Sequence, residues 1–138
     1  MRKLKMLPVI ATLVTIPSLA FGFQAWNRHT VNPLQGGVFE VVSEVGSGAA
    51  DYWCAAGDYA IRVLRTSATQ RIYIWSPVAP ALTQQGRRGV QFSLQPPQGA
   101  NTDPGYSLSV RRAGDNLRAS SAQNYCYDRF DIDEWDQN

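Results

Sequence analysis

The sequence predicts an α+β fold: a small antiparallel sheet of about four strands, packed by two helices and stapled by one disulfide. Three observations carry this. Val90, Phe92 and Leu94 alternate with Gln91, Ser93 and Gln95, and Tyr106, Leu108 and Val110 alternate with Ser107 and Ser109, the pattern of half-buried antiparallel strands. After Gly48 the apolar residues recur at three- and four-residue spacing instead, the pattern of a helix with one buried face. Two cysteines, Cys54 and Cys126, fall one in each predicted helix. The 138-residue chain, 44% hydrophobic, is sized for one domain with a core.

Residues 1–22 read as a signal peptide. Arg2, Lys3 and Lys5 form a basic start, an apolar run follows from Met6 to Leu19, and Ala20-Phe21-Gly22 is a small-x-small cleavage tripeptide. Cleavage is expected before Phe23, with Ser18-Leu19-Ala20 as the second choice. The run holds Pro8 and Pro17 and falls short of the roughly 20 apolar residues of a spanning helix. Cleavage would leave ten basic residues against eleven acids, a net charge near −1 in place of +2. Affinity for nucleic acid or anionic membrane through bulk charge is therefore not expected. The cleaved chain would hold no lysine, which excludes Schiff-base chemistry. In the oxidising compartment that export implies, Cys54 and Cys126 are expected to pair.

Residues 23–37 carry Asn32-Pro33 and Gly36-Gly37, lack periodicity and read as an N-terminal arm. The core domain is assigned to residues 38–127. Val38 to Val45 is rich in β-branched residues and reads as its first strand. Gly46-Ser47-Gly48 ends that strand, and Ser47 is the expected N-cap of a helix reaching about Arg65. Trp53, Cys54, Gly57, Ala60, Ile61 and Leu64 form its apolar face; Asp51, Asp58, Arg62 and Arg65 form the opposite stripe, with Asp58 and Arg62 as an i,i+4 pair. Gly57 costs about 1 kcal/mol relative to alanine in mid-helix. With Ala55, Ala56 and Ala60 it makes a thin surface suited to close packing. Arg71 to Ser76 reads as the second strand; residues 90–95 and 106–110 are the third and fourth. A short helix from about Ala119 to Tyr127 carries Cys126, and residues 128–138 are an acidic tail.

The segments GSGAADYWCAAGDYA (46–60), GVQFSLQPP (89–97) and GDNLRASSAQNYC (114–126) resemble a family of small exported alphaproteobacterial proteins with no known activity. The resemblance implies export and transfers no ligand or catalytic residue.

Catalytic patterns are sparse. His29 stands alone in the arm and reads as a solvated loop residue. Four zinc ligands are not at hand once the cysteines pair, and there is no G-x-S-x-G elbow. Gly46-Ser47-Gly48 starts like a dinucleotide fingerprint, but Asp51 stands where its third glycine belongs. Asp131, Asp133, Glu134 and Asp136 lack the spacing of a calcium loop. No cofactor or metal is expected.

Two surfaces stand out as possible ligand sites. Tyr73 and Trp75 face away from Ile72 and Ile74, where an aromatic pair beside Gln91, Ser93, Gln95, Ser107 and Ser109 suits a sugar or peptide. Arg87 and Arg88 precede the third strand and Arg111 and Arg112 end the fourth; as antiparallel neighbours these strands would gather four guanidinium groups into an anion site. The resulting expectation is a small periplasmic or secreted, non-catalytic binding protein of the cell envelope, acting on an envelope ligand or a partner protein. The alternatives are a small acid/base hydrolase or lyase using Asp51 or Asp58 with Tyr52 or Tyr59, and an inhibitor of an envelope enzyme presenting the loop 77–89.

Overall fold

The computed structural model describes Lys3, residues 22–105 and residues 107–128. The rest of the expected signal segment, Tyr106 and the acidic tail beyond Asp128 lie outside the described residues. Eight elements follow in order: β1 (Phe23–Gln24), β2 (Thr30–Pro33), β3 (Phe39–Val42), α1 (Ala49–Arg62), β4 (Arg71–Pro80), β5 (Arg88–Ser93), β6 (Asn116–Arg118) and α2 (Ala119–Asn124). The strands form one sheet in the order β1-β2-β3-β5-β4-β6, every neighbouring pair antiparallel. The α+β class, the two helices and the disulfide match the expectation; the sheet has six strands rather than about four.

Two of the added strands come from the expected arm. Val31 pairs with Val41 and Pro33 with Phe39, so β2 extends the sheet beyond β3. These strands are only two and four residues long, too short to show a period in sequence. The register places Val31, Val41 and Val90 in one row and Phe39, Phe92 and Ile74 in the next. All six are at most 1% exposed. Tyr52, Trp53, Ala56 and Tyr59 of α1 complete the core on them, with Phe39 and Tyr59 ring centroids 4.7 Å apart and Trp53 edge-on to Phe92 at 5.0 Å.

Of the expected fourth strand, 106–110, the described residues 107–110 do not join the ladder. β4 carries two register shifts, between Ile74 and Ser76 and between Ser76 and Ala79, and Pro77 offers no N–H. The bulges break the even spacing of edge donors and acceptors that a regular neighbour needs. Residues 107–115 instead run irregularly along this edge, tied by Val78 N–H to Val110 C=O (2.9 Å), Gly114 N–H to Ile74 C=O (2.8 Å) and Ile74 N–H to Asp115 C=O (2.8 Å). Only Asn116–Arg118 then pair regularly with β4. The alternation was a true sign of burial, since Val110 is buried and Leu108 packs on the core, but not of pairing.

Helix α1 begins one residue later than expected, with Gly48 as N-cap, and ends at Arg62. The Asp51 carboxylate accepts the Gly48 N–H at 2.8 Å. Asp51 and Asp58 are not on a solvated stripe: both are buried. The segment before β2 and the helix α2 cover that side of α1. Asp58 Oδ2 accepts from Trp26 N–H and from Arg62, each at 2.9 Å, and Gln123 Nε2 lies 3.3 Å from Oδ1. Gly57 marks the crossing of the two helices, where an added Cβ would stand 2.8 Å from the Ala122 carbonyl carbon. Beside it Cys54 bonds Cys126, with their Cα atoms 4.8 Å apart. Cys126 lies in the turn just past α2 rather than within a helix reaching Tyr127.

Candidate cleft at the start of helix α1

A cleft of about 460 Å³ opens where α1 begins. Ser47, Gly48, Ala49 and Tyr52 form its helix side; Val78 of β4 and Arg88 of β5 form the sheet side; Ser107 to Arg111 close it. The closing strip is held from below, because Trp53 Nε1 donates to the Ser109 carbonyl at 3.0 Å. The Ser109 hydroxyl oxygen in turn accepts the Arg111 N–H at 3.1 Å. On the sheet side Ser43 Oγ accepts the Arg88 N–H at 3.1 Å. Burial raises the Tyr52 phenol above its ordinary value, against the lowering influence of Ser43 and Arg88. Burial alone raises Tyr59.

The structure divides the four expected arginines into two kinds. Arg87 pairs with Glu44 at 3.0 Å and also donates to the Ser43 carbonyl. Arg112 donates to Asp115 at 2.6 Å and to the Asp103 carbonyl at 3.0 Å. Arg88 and Arg111 line the cleft, and neither side chain makes an ion pair among the described residues. The route differs from the expected one: Arg111 comes from an irregular strip along β4, not from a strand paired with β5.

The expected aromatic pair lies on β4, where Ile72 and Ile74 are buried and Tyr73 and Trp75 are not. Tyr73 lines a shallow hollow of about 270 Å³ with Arg71, Thr102, Pro104 and Asn116. Trp75 lies at the first register shift of β4, 40% exposed. Ser107 and Ser109, expected beside these rings, belong to the cleft instead. Of the expected inhibitor loop 77–89, Pro77–Pro80 lie in β4 and Arg88 and Gly89 in β5, leaving a short hairpin connection. That connection is exposed over residues 82–86 and pinned at its start: the buried Glu40 carboxylate accepts from Leu82 N–H (2.9 Å), Thr83 N–H (2.9 Å) and Thr83 Oγ1 (2.6 Å).

His29 is buried, not solvated. Its Nδ1 lies 3.2 Å from the Asn27 carbonyl and its Nε2 lies 2.7 Å from Ser47 Oγ. A carbonyl only accepts, so Nδ1 is the donor to Asn27. Ser47 Oγ is already engaged, however: it accepts the Glu44 N–H and donates to the Glu44 C=O, both at 2.8 Å. The hydroxyl has one proton, and that turn competes with the imidazole for it. The pair anchors the N-terminal segment to the start of α1. Sequence reading missed it because Asn27, His29, Glu44 and Ser47 share no motif; the Gly46-Ser47-Gly48 break was the sole local clue.

Among the described residues, no three His, Cys, Asp or Glu side chains stand together as metal ligands, and no helix is long and apolar enough to cross a membrane. Comparison with family profiles, with curated proteins and with solved structures finds no match.

Proposed function

We propose that this chain is a small, disulfide-stapled, exported binding protein of the cell envelope, and that the cleft at the start of α1 receives its ligand. The observation that carries the reading is the cleft itself: about 460 Å³, within the usual size of a small-molecule site, with apolar walls and a few converging polar groups. The disulfide suits an oxidising compartment, and the resemblance of residues 46–60, 89–97 and 114–126 to exported proteins supports the same placement.

A non-catalytic role is favoured by how the reactive groups are used. Asp58 is satisfied by Trp26, Arg62 and Gln123 and lines none of the described cavities. Asp51 caps α1, and the Ser47 hydroxyl is engaged by the Glu44 backbone. A general acid or base needs an open side toward substrate, which neither buried aspartate offers in the described cavities.

The test is native mass spectrometry of the protein purified from its envelope fraction. The expected result is an added mass that disappears on denaturation and is lost in Ala49→Trp, which fills the cleft from the first turn of the helix. Ligand retained at full occupancy by that variant would place binding elsewhere and refute the reading.

A further inference from the structure

The two arginine doublets are used in the same way. In each, one member is neutralised by a neighbouring acid: Arg87 by Glu44 and Arg112 by Asp115. The other member, Arg88 or Arg111, opens onto the cleft with no ion pair among the described residues. Arg88 enters from the start of β5 and Arg111 from the strip along β4. Each is held at its backbone, Arg88 by Ser43 and Arg111 by Ser109. Two separate segments thus bring unneutralised guanidinium groups to one concave surface, where water is partly displaced and charge counts for more. Planar guanidinium groups match the oxygens of phosphate and carboxylate with paired hydrogen bonds. Glu44, close in sequence to Ser43 at the cleft's sheet side, is paired with Arg87.

The cleft is larger than a bare oxyanion requires, and Val78, Leu108 and Val110 give it an apolar side. We infer that it binds a small organic anion, with Arg88 and Arg111 clamping its phosphate or carboxylate and the apolar wall receiving its carbon skeleton. This rests on the cleft being the binding site and adds the chemical class of what enters it.

The test is a set of titrations of the ¹⁵N-labelled protein, disulfide intact, with phenyl phosphate, benzoate and neutral benzyl alcohol, followed by amide shifts. The expected result is saturable shifts at Ala49, Ser109 and Arg111 with at least one anion, at a Kd on the order of 1 mM. Whichever anion binds tighter identifies the oxyanion. Arg88→Gln and Arg111→Gln should each weaken binding about tenfold, as loss of a charged hydrogen bond does. Arg112→Gln, whose partners Asp103 and Asp115 lie outside the cleft, should change it less than about twofold by the same reasoning. These arginines are solvent-facing, so the variants are expected to keep the dispersed spectrum of the parent. Benzyl alcohol binding as tightly as the anions, or unchanged anion affinity in the Arg88→Gln/Arg111→Gln double variant, would overturn the anion inference and leave the cleft as a neutral site. Absence of cleft shifts with either anion would overturn the inference as well, and the retained mass in the native experiment would then judge the binding role separately.

Discussion

At the residue scale, the most consequential side chain is one that sequence reading passed over. Glu40 lies in β3 between Phe39 and Val41, at 1% exposure, and accepts three hydrogen bonds from Leu82 and Thr83. A buried carboxylate is costly unless every oxygen is used, and here the hairpin connection supplies the donors. Glu40→Ala is expected to destabilise the fold by about 2–4 kcal/mol, since it removes all three charge-assisted hydrogen bonds that hold the hairpin connection to β3; urea unfolding of the two oxidised proteins measures it. Gly89→Ala should cost part of the same energy, because a Cβ there would stand 3.0 Å from the Glu40 Cγ and Cδ atoms. The tyrosines set a second expectation. Burial raises Tyr52 and Tyr59, so the folded state favours their neutral forms. Their contribution to stability is complete below the ordinary tyrosine value near 10 and is lost as pH rises through the higher folded values. Phenolate absorbance should therefore show two late-titrating tyrosines, and stability should fall on the alkaline side; titration of all tyrosines at the ordinary value would contradict this.

At the scale of elements, the α1–α2 crossing was legible and the edges of the sheet were not. Gly57, flanked by alanines and a cysteine, announced a close approach, and the approach is made by α2 and Cys126. Gly57→Ala is accordingly expected to destabilise the protein by about 1–3 kcal/mol, the overpacking penalty exceeding the gain of about 1 kcal/mol in helix propensity. A rise in thermal midpoint would show that the helices separate freely. The central strands were legible because Val90/Phe92 and Ile72/Ile74 alternate with residues on the other face. The edges were hidden for two different reasons. β1 and β2 are too short to carry a period, and residues 107–110 carry one while their backbone partner on β4 is bulged. The cleft inherits the same ambiguity. Arg88 and Arg111 were visible as charges in sequence, but what brings them together is an irregular segment whose path depends on hydrogen bonds to Val78 and Ile74.

At the scale of the whole molecule, the long-range constraints dominate. β5 sits between β3 and β4, α1 separates β3 from β4 in sequence, and Cys54 and Cys126 are 72 residues apart. A cross-link closing a loop of that length contributes about 4 kcal/mol on the chain-entropy account. The Cys54→Ala/Cys126→Ala protein should lose an amount of that order, read from the shift of its urea midpoint at unchanged slope. The bridge was legible from cysteine count and expected compartment; the packing that seats it beside Gly57 was not, since it depends on Ala119 and Ala122 being small enough for α2 to lie against α1. The placement of Cys126 bears on synthesis too. Its partner is made early and waits through 72 further residues, so a chain that stops short of residue 126 has an unoxidised Cys54 and lacks the segment that carries its partner. Incomplete products thereby carry a free thiol that the finished protein does not display.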